Sequence, residues 1–289
     1  MSKSYQVLVV GGGAAGLATA ASLKKRDRSL EVAVVEPSDK HYYQPGWTMV
    51  GAGVFTKEDT IKDTDSIWPS DVIRIKDEVI KFDPKNNKVT LGNKTEVGYE
   101  MLVVASGLKL DWEAIEGLSE SLGENGVTSN YRYDLAPYTW ELVQEMNGKN
   151  AIFTQPPMPI KCAGAPQKAM YLSCDHWQKS GQLEGMNVSF CNAGPVLFGC
   201  ATYVPPLMKY VEKYGINLDF GHNLTKIDGP SKKAWFSVKK EGENAKTIER
   251  SFAMILVCPP LRAPDFIHII PLSNEGGWVD VHAATLQHT

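Results

Sequence analysis

The sequence predicts an α/β protein of two doubly wound, parallel-sheet domains, and three observations carry that prediction. An apolar strand, Val7 to Val10, runs straight into a glycine cluster and an alanine-rich helix. Apolar runs then alternate with helical periodicity through both halves of the chain, and Met101 to Gly107 reads as a strand buried on both faces that ends in small residues. Alternation of strand and helix implies parallel sheets, because each helix carries the chain back across a sheet face. The 289 residues leave room for two domains of ordinary size, each with its own core.

The first domain opens on Gly11-Gly12-Gly13-Ala14-Ala15-Gly16, which fits G-x-G-x-x-G at Gly11, Gly13 and Gly16. Gly11 permits the tight turn, Gly13 lets the backbone approach a pyrophosphate, and Gly16 lets helix and strand pack closely. The pyrophosphate would sit on the N-terminus of a helix ending near Lys25. A second apolar strand, Val32 to Val35, closes on Glu36, where a carboxylate accepts hydrogen bonds from ribose hydroxyls and repels a 2′-phosphate. Together these features read as a Rossmann-like dinucleotide-binding domain. From Val72 to Leu91 the pattern becomes short alternating runs, broken by turn chemistry at Asp83-Pro84-Lys85-Asn86-Asn87. Ala105, Ser106 and Gly107 then end the buried strand with side chains small enough for the backbone to come near a bound cofactor.

The pattern restarts after about Asp111, with strand Ala151 to Thr154, a helix over Gln167 to Trp177, strand Val188 to Phe190, a helix through Tyr203 to Tyr214, and strand Ile216 to Phe220. Here the fingerprint is missing. After Val188 to Phe190 comes Cys191-Asn192-Ala193-Gly194-Pro195-Val196-Leu197, in which only Gly194 fits. Asn192 stands where the turn glycine belongs, and Leu197 would hold helix and strand apart. The second domain is therefore expected to be a degenerate nicotinamide-type fold whose electron donor is not NAD(P)H. The expected boundaries are 1–110 for the first segment of the cofactor domain, 111–265 for the second domain, and 266–289 for the start of a return to the first.

Cys162 lies in Pro159-Ile160-Lys161-Cys162-Ala163-Gly164-Ala165-Pro166-Gln167-Lys168, just before a helix. Pro166 suits a first helical turn, where its missing N–H costs nothing. Met170, Cys174 and Trp177 recur at helical spacing and mark the buried face. The helix N-terminus and Lys161 would both favour a thiolate at Cys162. The other four cysteines, Cys174, Cys191, Cys200 and Cys258, are expected to be reduced core residues.

Composition excludes several classes. A net charge of −3, with Lys and Arg scattered, gives no electrostatic case for nucleic acid. Five cysteines without close Cys-x-x-Cys pairs, and six histidines without a ligand spacing, predict no metal site. Residues 1–6 are too short and polar for a signal peptide, and no apolar stretch approaches the roughly 20 residues that span a bilayer. Any membrane contact within this sequence is thus expected to be peripheral. The charged stretch Lys239 to Asn244 reads as a solvated hairpin tip.

On GGGAAG at 11–16, Val35-Glu36-Pro37-Ser38 with His41-Tyr42-Tyr43-Gln44-Pro45 and Trp47, PIKCAGAPQKAMYLS at 159–173, and Gly277-Trp278-Val279-Asp280-Val281, the chain resembles the sulfide:quinone oxidoreductases. These belong to the two-dinucleotide-fold flavoproteins, and the likeness is nearest to the mitochondrial-like branch. The resemblance implies FAD, held covalently or not, oxidation of hydrogen sulfide at a cysteine pair, and delivery of two electrons to a membrane quinone, with a sulfane-sulfur acceptor. A homo-oligomer and location at an inner membrane, peripherally bound, are compatible with it. By position, Gly11, Gly13, Ala14, Ala15 and Gly16 would hold the pyrophosphate and Glu36 the adenosine ribose. Gln44 would lie against the cofactor, with Trp47 walling the flavin. Val79 would lie near the adenine, and Ala105, Ser106 and Gly107 would pass beneath the FAD. Cys162 would be one of two redox cysteines. The second cysteine, a Gly-Asp strand, the quinone pocket and an amphipathic tail would fall beyond Thr289, so the sequence reads as a partial form. The alternatives are a type II NADH:quinone reductase-like flavoprotein and a non-catalytic FAD-binding fragment.

Overall fold

A computed structural model describes residues 3–146, 149–239, 244–268 and 272–289. They form two compact units: one comprises Met1–Tyr42, Lys62–Lys109 and Arg262–Thr289, the other Tyr43–Ile61 and Leu110–Leu261.

In the first unit, strand β1 (Lys3–Val10) leads to helix α1 (Ala14–Arg26) and strand β2 (Val32–Val35). Strands β3 (Ile73–Ile75), β4 (Val79–Asp83), β5 (Lys88–Leu91) and β6 (Glu96–Val104) complete a six-stranded sheet in the order β3-β2-β1-β6-β5-β4. The four strands β3, β2, β1 and β6 run parallel, with Val7 opposite both Val32 and Met101. β5 and β4 turn back antiparallel through the Pro84–Asn86 turn that the sequence marks. The alternation of a strand explains the continuous apolar run of β1. Leu8 and Val10 pack to one side with Ala33, Val35 and Phe82, while Val7 and Val9 pack to the other with Ala20, Val32 and Val34.

The second unit holds a five-stranded sheet. Its strands are β7 (Val127–Thr128), β8 (Asn150–Gln155), β9 (Asn187–Asn192), β10 (Asn217–Phe220) and, later in the chain, β14 (Met254–Leu256). All pair in parallel, in the order β7-β14-β8-β9-β10. Between β10 and β14 lies an antiparallel meander of β11 (His222–Asp228), β12 (Lys233–Val238) and β13 (Lys246–Ser251). The sequence marks only its hairpin tip, of which residues 240–243 lie outside the described residues.

Helices α2 (Trp47–Val50), α3 (Ala136–Glu145), α4 (Ala165–Lys179) and α5 (Val204–Tyr214) serve the second unit. The stripe predicted for α4 is its core face: Met170, Cys174 and Trp177 are fully buried, and the Trp177 indole N–H donates to the Val143 carbonyl at 2.7 Å. Burying side chains the size of Met and Trp contributes roughly 1.5–3 kcal/mol apiece.

One expectation is corrected. Residues 43–61, assigned by sequence to the first domain, belong to the second unit. The physical reason is an apolar cluster in which Trp47 and Val50 pack on Ala136, with Tyr133 against the Trp47 ring edge-on at 6.3 Å. Trp47 is thereby a packing residue of the second unit, 9% exposed.

Candidate functional site

In the first unit the glycine loop is built by three crowded contacts and one open one. Gly11 has φ +102°, and a Cβ there would lie 2.4 Å from the Ala105 carbonyl oxygen. A Cβ on Gly16 would lie 1.8 Å from the Gly11 carbonyl oxygen, and one on Gly12 would lie 2.7 Å from the Glu36 Cβ. Gly13 has nothing within 4 Å. The loop is therefore held tight against β6 and β2 while its outer corner stays bare. No side chain caps α1, so the first-turn N–H groups of exposed Ala14 and Ala15 remain on offer to an anion.

Glu36 is half-buried at the end of β2, where it accepts the Gly12 N–H at 2.7 Å and the Ser38 N–H at 2.7 Å, one on each oxygen. A carboxylate has about four acceptor positions, so two remain for hydroxyl donors. Beside this corner, Ala105 N–H donates to the Val10 carbonyl at 2.8 Å, and Gly107 turns away at φ +75° with open space around it. Ala105, Ser106 and Gly107 also line a cavity of about 550 Å³ whose other walls include Trp278 and Val279. None of Gly11 to Gly16 or Glu36 borders that cavity. The Val79 side chain is buried in the core cluster that also holds Leu8, Val10 and Leu91.

The second unit carries the thiol. Cys162 is exposed, three residues ahead of α4, in a turn closed by Cys162 N–H to the Ile160 carbonyl at 3.1 Å and by Ala165 N–H to the Cys162 carbonyl at 2.7 Å. Its φ is +97°, a strained region for any residue with a side chain. The turn is tied to the sheet by a relay. The buried Tyr131 hydroxyl donates to the Lys161 carbonyl at 2.7 Å, Tyr131 N–H donates to Ser129 Oγ at 3.1 Å, and the Ser129 hydroxyl donates to the Val257 carbonyl at 2.6 Å. Burial raises the Tyr131 phenol further above its ordinary value, which keeps it a donor. Burial pulls the Lys161 ammonium below its ordinary value, and attraction to the Cys162 sulfur opposes that shift. Gln44, in the 3₁₀ turn Gln44–Gly46, shares a cavity of about 50 Å³ with Thr48, Asn130, Tyr131, Lys161 and Cys162. The sequence placed Gln44 against a cofactor but gave no sign that its loop stands beside the thiol.

The remaining cysteines divide cleanly. Burial pushes Cys174, Cys191 and Cys258 up to about 12, while Cys200 is exposed. At about pH 8 those three thiols are ionised to only about one part in ten thousand. Iodoacetamide is accordingly expected to label the native chain at Cys162 and Cys200 and to reach the other three only after unfolding, as read by peptide mass spectrometry. Cys200, which sequence reading placed in the core, is the correction here.

The degenerate loop after β9 has a structural reason. Asn192 is fully buried; its Oδ1 accepts the Gly194 N–H at 2.8 Å and its Nδ2 donates to the Val196 carbonyl at 2.9 Å. The side chain thus occupies the turn where a pyrophosphate-binding loop would leave its N–H free. The next helix, α5, begins only at Val204.

Residues 5–140 match the family described as pyridine nucleotide-disulphide oxidoreductase. Over 286 residues the chain is 40% identical to the mitochondrial sulfide:quinone oxidoreductase of Dictyostelium discoideum, an alignment covering 98% of this chain and 62% of that protein. Over 285 residues it is 38% identical to the mitochondrial sulfide:quinone oxidoreductase of Mus musculus, covering 98% and 63%. Among solved structures, the sulfide:quinone oxidoreductase of Aquifex aeolicus superposes with a TM-score of 0.76 at 21% identity, covering 92% of this chain and 60% of that one. The fold and glycine loop are those of the pyridine nucleotide-disulphide oxidoreductases. Over almost its whole length the chain is similar to the mitochondrial sulfide:quinone oxidoreductases, and it spans about three fifths of the length of the relatives named here.

Proposed function

We propose that the chain oxidises hydrogen sulfide through Cys162, with FAD bound at the Gly11 to Gly16 loop and a membrane quinone as the final electron acceptor. The observation that carries this reading is the exposed Cys162 thiol, set on a strained turn ahead of α4, in a unit whose nicotinamide loop is filled by Asn192. The bare corner at Gly13 and the spare acceptor positions of Glu36 fit a pyrophosphate and a ribose. FAD, when bound, accepts the electron pair from sulfur and passes it on.

The protein's own part is nucleophilic chemistry. Hydrosulfide attacks one sulfur of a disulfide that Cys162 shares with a second cysteine. The new S–S bond is a persulfide, the old one breaks, and the partner sulfur leaves as a thiolate. Tyr131 and Ser129 hold the Cys162 turn while this happens. The outer sulfur then passes to a sulfane-sulfur acceptor. Peripheral attachment at a quinone-bearing membrane accords with the described residues, in which no helix is long and apolar enough to cross a bilayer.

Spectroscopy tests the reading. Purified protein is expected to show a visible flavin spectrum that bleaches on anaerobic addition of sulfide and stays coloured on rapid mixing with NADH. Bleaching by NADH and not by sulfide would instead support an NADH:quinone reductase. A flavin spectrum that bleaches with neither sulfide nor NADH would leave the non-catalytic FAD-binding-fragment reading.

A further inference from the structure

We propose that Gln167 is a positioning residue for Cys162, and that the loop after β9, with Asn192 and Leu197 where a nucleotide-binding loop would carry glycines, is built to brace it. The chemistry assigned to Cys162 rests on the sulfide-oxidising reading above; the brace rests on geometry within the second unit.

At φ +97° a residue with a side chain is strained, and such a conformation persists only where its surroundings over-determine it. Three consecutive carbonyls are fixed here. That of Lys161 accepts the Tyr131 hydroxyl at 2.7 Å, that of Cys162 accepts the Ala165 N–H at 2.7 Å, and that of Ala163 accepts Gln167 Nε2 at 3.4 Å. The last is long, but its donor is aimed by a second partner, because the same Nε2 donates to the Leu197 carbonyl at 2.5 Å. Gln167 is 2% exposed in the first turn of α4, and an amide nitrogen has two N–H groups, so both are committed to these two oxygens.

Leu197 is held in turn. Its side chain is buried in the core cluster with Met170 and Trp177, and the carbonyl before it, that of Val196, accepts Asn192 Nδ2 at 2.9 Å. Asn192 is fully buried, with Oδ1 accepting the Gly194 N–H at 2.8 Å and Gln155 Nε2 at 3.4 Å. A Cβ built on Gly164 would stand 3.9 Å from the Phe198 ring, so the turn and the loop lie against each other as well. The bonds run from the end of β8 through Asn192, Val196, Leu197 and Gln167 to the residue after Cys162. Glycine at 192 would remove the bond to Val196, and glycine at 197 the anchor in the core. The two departures from the fingerprint are therefore the two residues on which the brace depends. A fixed turn keeps the Cys162 sulfur in one direction for attack, and misplacing a reacting group by about 1 Å costs up to about a hundredfold in rate.

The test is hydrogen–deuterium exchange of the whole protein, read on a peptide spanning 160–166, which contains the bonded Cys162 and Ala165 amides. Gln167→Met is nearly isosteric and carries no N–H. Asn192→Ala leaves Cys162 and Gln167 in place and removes the bond to Val196, and it keeps the test decisive if the first variant folds poorly. Each is expected to speed exchange in 160–166 at least about tenfold and to leave residues 173–179, at the far end of α4, unchanged. In anaerobic stopped-flow, the limiting rate of flavin bleaching by sulfide is expected to fall at least about tenfold, with the half-saturating sulfide concentration within about twofold of the parent's. Unchanged exchange in 160–166 in Gln167→Met would overturn the role of Gln167, and unchanged exchange there in Asn192→Ala would overturn the brace. Equal acceleration in 173–179 would mean general loosening and would overturn both. Faster exchange in 160–166 with an unaltered bleaching rate would overturn the positioning role, because the chemistry would not need the turn fixed. A parent protein that sulfide does not bleach would sink the sulfide-oxidising reading, while the exchange data would still decide the brace.

Discussion

Replacing Cys162 by serine is expected to lower the sulfide-dependent reduction rate by at least about three orders of magnitude while leaving the flavin spectrum and the thermal midpoint unchanged. The hydroxyl is a poor nucleophile at neutral pH and forms no disulfide, so hydrosulfide loses the bond it must attack. With both proteins reduced, stability should hold because the thiol is exposed and the turn is fixed by main-chain bonds and by Tyr131, none of which involves the sulfur. The measurement is anaerobic stopped-flow of flavin bleaching against sulfide concentration, paired with a melting curve. An unchanged rate constant in the serine variant would remove Cys162 from the chemistry.

The second large effect is a contrast between two alanines. At Gly16 the added methyl would lie 1.8 Å from the Gly11 carbonyl oxygen, a backbone atom that cannot move without shifting the loop. Gly16→Ala is therefore expected to cost about 1–3 kcal/mol of stability or more, and FAD retention with it. Gly13→Ala behaves differently. Gly13 has φ −72° and no protein atom within 4 Å of the built Cβ, so its methyl meets only the space a pyrophosphate would use. It is expected to cost under about 1 kcal/mol of stability, yet to weaken FAD binding at least about tenfold, equivalent to about 1.4 kcal/mol. Calorimetric melting and flavin titration of both variants separate the two. Unaltered FAD affinity in Gly13→Ala would mean that the bare corner is not where the cofactor rests.

Much of this is legible in the sequence, for physical reasons. The strand that ends at Val10, the glycine spacing, and Glu36 after Val35 are local signals, because a turn, a helix start and a strand end each depend on a few neighbouring residues. The same holds for the helix after Cys162, whose Pro166 and buried face at Met170, Cys174 and Trp177 read directly, though it extends slightly further at both ends, Ala165–Lys179. The defect at Asn192 was also visible as a missing glycine, and the structure adds that its amide closes the turn. Missed were the meander β11 to β13, whose short mixed runs carry no clear period, and the exposure of Cys200, which no local pattern distinguishes from a core cysteine.

By itself the sequence determined the class: a dinucleotide loop on a parallel sheet, a second sheet without one, and a thiol at the start of a helix. These follow from backbone geometry that a handful of adjacent residues dictates. Only the tertiary structure decided that residues 43–61 pack with the second unit, that Trp47 is core, that Val79 turns its side chain inward, and that Tyr131 anchors the Cys162 turn. It alone set the Gln167 amide between the Ala163 and Leu197 carbonyls. Each of these depends on which distant surfaces meet, and burial and hydrogen-bond satisfaction at such meetings are properties of the folded chain and not of any short stretch of it.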